Sequence, residues 1–192
     1  MQQIFQHEFQ ESQEVFHNFL SQQSTFQALE KAAQIMISAL QSGGTIISCG
    51  NGGSMTDAMH FAEELCGKFR EHRDSIPAIA ISDSSYISCV ANDYGYEAVF
   101  ARFVQGVAKS GDVLLAISTS GASPNVLRAV EVATQKGVHT IALTGNYGSA
   151  LEKMADVSIC VPHSGYADRI QEVHIKIIHA LIRVIEENVS HE

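Results

Sequence analysis

Basic residues are scarce in this chain. Twelve Lys and Arg stand against 21 Asp and Glu, giving a net charge of −9 at pH 7 with histidine neutral. That shortage argues against broad binding to nucleic acid or anionic membranes, both of which need basic surface to displace counterions. Small molecules or protein partners are what it leaves. Paired cysteines are also missing: Cys49, Cys66, Cys89 and Cys160 form no C-x-x-C, which fits neither a zinc knuckle nor a disulfide framework and points to a reducing cytosol. No Lys or Arg precedes Lys31, so a signal peptide's basic n-region is lacking, and no apolar run approaches the roughly 20 residues of a membrane span. These absences predict a soluble, cytoplasmic protein. Tandem repeats, linkers and low-complexity stretches are lacking too, so the 192 residues, 45% of them hydrophobic, read as a single domain spanning 1–192.

What is present is rhythmic. Two amphipathic helices are expected first, at about 4–20 (Phe5, Phe9, Phe16, Phe19) and 25–42 (Phe26, Leu29, Met36, Leu40), the second ended by Gly43-Gly44. Apolar segments then recur at 45–49, 78–82, 113–118, 140–144 and 157–162, separated by helix-compatible stretches. This is the pattern of βα units and an α/β fold with a mainly parallel sheet of about five strands. A closing helix is predicted over 167–189, with an apolar stripe through Ile170, Val173, Ile177, Leu181 and Ile185.

Ligands of open α/β sheets bind beyond the carboxyl ends of the strands. After the first strand comes Gly50-Asn51-Gly52-Gly53-Ser54, leading into a helical pattern at 55–67. Glycines there let the backbone approach an anion, Ser54 is placed to cap the helix and offer its hydroxyl, and N–H groups at the helix start favour negative charge. Ser82-Asp83-Ser84-Ser85 follows the second strand, and Ser118-Thr119-Ser120-Gly121-Ala122-Ser123 the third. The last resembles a second phosphate cradle, since hydroxyls and turn N–H groups can surround phosphate oxygens without a cation. Ordinary capping and turn chemistry uses the same residue types, but several such loops at one sheet edge favour an anion site. There is no G-x-x-x-x-G-K-[ST], and Met55 stands where a dinucleotide fingerprint needs its third glycine. A phosphorylated metabolite is therefore expected rather than ATP or NAD.

His60 and Glu64, four residues apart, are separated by about 6 Å of helix rise on one face and can share a metal or a substrate proton. On the last helix, Gln171, Glu172, His174 and His179 are further candidates, although Gln171 and His179 are about 12 Å of rise apart. Core or surface histidines and a solvated Glu63-Glu64 face are the plain alternatives. Asn92-Asp93 reads as a turn, and Asp168 as a cap of the closing helix.

The stretches 48–54, 57–65, 118–121 and 165–172, with His179, closely resemble the bacterial phosphoheptose isomerase family across nearly the whole chain. The resemblance implies the sugar isomerase (SIS) fold, a flavodoxin-like three-layer α/β/α sandwich. It also implies homotetramers with active sites at subunit interfaces, in which helices of about 1–42 take part, and conversion of sedoheptulose 7-phosphate to D-glycero-D-manno-heptose 7-phosphate for lipopolysaccharide. Carried across, it implies that His60, Glu64, Gln171 and His179 bind zinc and that Glu64 and His179 are the acid/base pair. Asn51, Gly52, Gly53, Asn92, Asp93, Ser118, Thr119, Ser120, Ser123 and Gln171 would contact substrate, beside the Ser54 hydroxyl. One departure is Met55-Thr56 after Ser54, where some relatives are expected to carry His-Cys. The competing expectations are a non-catalytic regulator of the same fold that binds the replication initiator protein, and a sugar-phosphate sensor. The first should lack acid/base residues at the positions of Glu64 and His179, which this chain keeps, and the second should carry an attached domain that 192 residues do not show.

Overall fold

In the computed structural model, which describes residues 1–189, two helices come first, α1 (Gln2–Leu20) and α2 (Gln23–Gln41). Strands and helices then alternate: β1 (Ile46–Gly50), α3 (Gly53–Cys66), β2 (Ala78–Ala80), α4 (Ser84–Tyr94), a 3-10 turn (Tyr96–Ala98) running into α5 (Val99–Val107), β3 (Val113–Ser118), α6 (Pro124–Gln135), β4 (His139–Thr144), α7 (Ala150–Met154), β5 (Val157–Cys160) and α8 (Ala167–Val189). All five apolar runs are strands, and every pairing is parallel, in the order β2-β1-β3-β4-β5. Five of the ten expected strand boundaries shift by one or two residues, and the closing helix has the limits read from its stripe.

The strands are apolar throughout because both sheet faces are covered. Their period of two sends Ile46, Val113, Leu115, Ile117, Ile141, Leu143 and Ile159 to a core shared with α1, α2, α3 and α8. Ile47, Cys49, Leu114, Ala116 and Ala142 point to the opposite core, under α4, α5, α6 and α7. This is the three-layer α/β/α sandwich. Among the described residues no helix is long and apolar enough to cross a membrane.

Strand order reverses between β1 and β3, and the crevice at such a switch point is where open α/β sheets bind ligands. Both small-residue loops lie there. α1 is held less completely: only Val15 and Phe19 are buried, while Ile4, Phe5 and Phe9 are 64%, 62% and 73% exposed. Its inner half is fastened by the buried Arg169, whose guanidinium bonds Glu8, Glu11 (3.0 Å) and Glu172.

Candidate active site at the strand switch point

The first loop is a tight reversal. A Cβ at Gly50 would lie 2.6 Å from the Ser54 carbonyl oxygen, and Gly52 has φ +54°, so the β1–α3 turn needs glycine at both places. Gly52 occupies the N-cap of α3, and the helix begins at Gly53. The expected Ser54 cap is thus corrected. Ser54 sits inside the first turn and is buried, since the glycine turn has already set the direction of the chain. Gln171 of α8 packs against this turn so closely that a Cβ on Gly53 would lie 2.6 Å from its Nε2.

The second loop joins β3 to α6. Pro124 opens α6 and has no N–H, so this helix start offers one donor fewer and the hydroxyls around it matter more. Ser118 Oγ lies 3.0 Å from Ser123 Oγ and 3.4 Å from Ser120 Oγ, and Ser120 Oγ accepts from the Ala122 N–H at 3.2 Å. Ser123 is the N-cap residue, yet its hydroxyl makes no cap bond. Ser118 is buried at the base, with Thr119 and Ser123 half-buried and Ser120 exposed at the rim. Asn92 and Asp93 are not in a turn. They form the last turn of α4, which Gly95 (φ +85°) terminates, and Asn92 Nδ2 donates to Asp93 Oδ1 at 2.7 Å.

His60, Glu64 and His179 converge where α3 crosses α8. His60 Nε2 stands 2.9 Å from His179 Nε2 and 3.5 Å from Glu64 Oε1, while His60 Nδ1 faces Glu63 Oε1 at 3.3 Å. Two Nε2 atoms at that distance must share a proton or face a common cation. Donor atoms of His60, Glu63 and Glu64 lie within 4.8 Å of one another, a geometry able to hold a metal ion. Gln171, two turns before His179 on α8, instead has its amide against Gly53. Burial and the neighbouring His60 hold the His179 imidazole below its ordinary pKa, with Glu64 pulling the other way. Phe69 stacks on His179 at 5.7 Å between ring centres. Asp57, one turn before His60, is buried with Oδ2 unpartnered among the described residues, and burial raises its carboxyl pKa to about 6. His60 and Glu63 also line an open groove of about 600 Å³ with Met59, Ile79 and Ser82.

Sequence spacing missed what holds this cluster. Arg73, in the segment between α3 and β2, donates to the Glu64, Leu65 and Gly67 carbonyls at 2.7, 2.7 and 3.2 Å, satisfying oxygens that the end of α3 leaves open. Its Nε bonds Glu186 of α8 at 2.8 Å, with both side chains almost fully buried. One guanidinium therefore ties the end of the helix carrying His60 and Glu64 to the helix carrying His179. Asp168 lies in the first turn of α8, where its Oδ1 accepts from the Arg169 N–H at 2.9 Å.

A family model of the SIS domain matches residues 9–145. The chain is 59% identical to the phosphoheptose isomerase of Cytophaga hutchinsonii, covering 94% of this chain and 95% of that one, and 53% identical to the phosphoheptose isomerase of an Enterobacter species over 97% of each. Among solved structures, phosphoheptose isomerase GmhA from Neisseria gonorrhoeae superposes with a TM-score of 0.90 at 38% identity, covering 97% of this chain and 98% of that one. With a sheet that switches order between two hydroxyl-lined and glycine-lined loops, a carboxylate–imidazole cluster beside them, and likeness along nearly its full length, the chain belongs to the SIS-domain proteins and, among them, to the phosphoheptose isomerase family.

Proposed function

We propose that the chain isomerises sedoheptulose 7-phosphate to D-glycero-D-manno-heptose 7-phosphate in heptose biosynthesis, with the phosphate held at the switch point and the carbon chemistry done by Glu64 and His179. The observation that carries this reading is the approach of Glu64, His60 and His179 within 3.5 Å steps beside two anion loops. Aldose–ketose isomerisation removes a proton from C1 of the ketose, passes through a cis-enediol and returns a proton to C2. Glu64 is the base, its carboxylate lying 3.5 Å from His60 Nε2, the nitrogen that faces His179, whereas the nearer Glu63 carboxylate meets the other side of the ring. His179, whose lowered pKa makes its imidazolium the stronger acid, protonates the developing oxyanion. Ser118, Thr119, Ser120 and Ser123 supply hydroxyl donors to the phosphate, with N–H groups of Gly52, Gly53 and Ser54 at the start of α3. Asn51, Gln171, Asn92 and Asp93 bound the sugar.

A zinc ion fits the donor set. Two imidazole nitrogens 2.9 Å apart and a carboxylate oxygen 3.5 Å from one of them bracket the edge of about 3.3 Å expected around tetrahedral zinc with bonds of about 2.0–2.1 Å. His60, Glu64 and His179 would hold it, with Gln171 as a fourth ligand if its amide leaves Gly53, and Glu64 and His179 would have to leave the metal to exchange a proton. Bound there, it would supply polarisation of the carbonyl and hold two oxygens cis. The exposed stripe Ile4, Phe5 and Phe9 on α1, and an apolar groove of about 570 Å³ between α2 and α8 lined by Phe26, Leu29 and Val184, support self-association through α1 and α2, which the homotetramer implied by the resemblance would use.

Proton NMR of the protein with sedoheptulose 7-phosphate in deuterated water tests the reading. An aldoheptose 7-phosphate carrying deuterium at C2 is expected, with the rate falling on chelation of zinc. Binding without conversion by folded, zinc-replete protein would overturn it.

A further inference from the structure

Asn51 is the hub of a hydrogen-bond network that spans the switch point. Its Nδ2 donates to Asn125 Oδ1 at 2.9 Å, and its Oδ1 accepts from Asn125 Nδ2 at 2.8 Å and from the Tyr96 hydroxyl at 3.1 Å. The polarity of the network follows from the backbone. Asn125 Oδ1 also receives the Val126 N–H at 3.0 Å, and since a main-chain N–H only donates, that atom must be the oxygen. The facing atom of Asn51 is then its nitrogen, its oxygen faces Asn125 Nδ2, and the tyrosine hydroxyl must donate. Asn125 is buried at 3% exposure, so its amide cannot trade these partners freely for water.

The partners come from three different parts of the site. Asn51 follows β1 directly, Asn125 lies in the first turn of α6 just after the hydroxyl loop, and Tyr96 follows the end of α4 that carries Asn92 and Asp93. The β1–α3 turn is built on Gly50, Gly52 and Gly53, residues that give it close approach but no stiffness of their own. We infer that Asn125 is a positioning residue which, through Asn51, locks the two anion loops into one preformed cradle, with Tyr96 as the outer tie to the end of α4. The inference rests on the proposed sugar-phosphate site and deepens it. The Asn51 oxygen has both lone pairs engaged, so Asn51 offers substrate an N–H and never an acceptor. Because a lock of this kind acts on ground state and transition state alike, its loss raises KM and leaves kcat nearly alone.

The test is steady-state kinetics on sedoheptulose 7-phosphate, and calorimetric binding of inorganic phosphate, for wild type, Asn125→Ala, Tyr96→Phe and the double variant. Asn125→Ala should weaken both KM and the phosphate Kd by about tenfold while kcat changes by less than about threefold. Tyr96→Phe, at a half-exposed residue that loses only its hydroxyl, should weaken both by about threefold, and the double variant by less than the product of the two. Folded Asn125→Ala with unchanged KM and phosphate Kd overturns the inference, as does a fall in kcat at constant KM. If Asn125→Ala does not fold, Tyr96→Phe decides: a parallel rise in KM and Kd supports the lock, and no change overturns it. Absence of turnover in the wild type would count against the isomerase reading, and phosphate binding by the same variants would still judge the lock.

Discussion

The proposed anion cradle and the proposed acid/base cluster are built on opposite principles. The cradle consists of neutral groups, the hydroxyls of Ser118, Ser120 and Ser123 and the amides of Asn51 and Asn125, placed by strand ends and closed by short hydrogen bonds among themselves. The cluster is charged and titratable, stands on two helices, and depends on a clamp outside itself, Arg73 with Glu186. A phosphate brings its own charge, so its seat needs donors in fixed places. Proton transfer needs groups that change charge, and these are kept from collapsing on one another by structure around them. Binding is prepaid by the sheet, while the chemistry relies on the packing of α3 against α8.

The sharpest way to break the comparison is Glu64→Gln, which keeps shape and removes the base. Turnover should fall by about 10³-fold or more, with inorganic phosphate still bound at wild-type affinity because the cradle is untouched. Wild-type turnover would remove Glu64 from the proposed role. Loss of phosphate binding would show that the two regions are not separable.

Arg73→Met tests the clamp. It leaves the buried Glu186 carboxylate with only Arg183 at 4.0 Å and frees carbonyls at the end of α3, so a loss of about 3 kcal/mol is expected in urea unfolding, with zinc affinity lowered as well. Arg73→Met with Glu186→Leu should recover much of the stability, since no lone buried charge remains, but not the zinc affinity. Recovery of both would reduce the clamp to ordinary packing.

Legibility in the sequence followed the same divide. Strands and loops of the cradle were readable because parallel core strands are apolar runs and because several loops of small hydroxyl residues and glycines gather at their carboxyl ends, where a single such loop would pass for ordinary turn and cap chemistry. His60 and Glu64 were readable from helical spacing. Asn92-Asp93 was misread because both residues favour turns, whereas Gly95 two residues later actually ends α4. Ser54 looked like a cap because serine so often is one, but a glycine turn with positive φ had taken that place. The Arg73–Glu186 pair spans 113 residues and the Asn51–Asn125 pair 74, and no local period connects such partners. Only the fold brings them together.

The smallest effect concerns α8, which joins the two regions by carrying Gln171 against Gly53, His179 in the cluster, and His174 between them. His174 is fully buried. Its Nε2 lies 3.3 Å from the Thr144 carbonyl oxygen, an acceptor only, so Nε2 carries the proton and Nδ1 is left without a partner among the described residues. Burial lowers its pKa to about 4. Between the ordinary histidine value near 6.5 and about 4, the unfolded chain binds a proton that the folded chain refuses, so stability rises with pH across that window and is lost on acidification. From pH 6.5 to 5 the loss from this group is about 2 kcal/mol, at roughly 1.4 kcal/mol per pH unit. Asp57 works with the opposite sign. Its carboxyl, raised to about 6, holds a proton in the folded state that the unfolded state has given up, so acidification through that range favours folding. The wild-type curve is the sum of both, and the difference between wild type and His174→Gln, measured as urea midpoints from pH 7 to 5, isolates the histidine. The two curves should converge as pH falls, because only the wild type pays to keep an imidazole neutral. Parallel curves would mean that His174 reaches a proton acceptor or solvent in the acid range. Inorganic phosphate binding by the neutral cradle should follow the titration of phosphate itself in both proteins, which is how a pH effect on α8 is told from one on the site it supports.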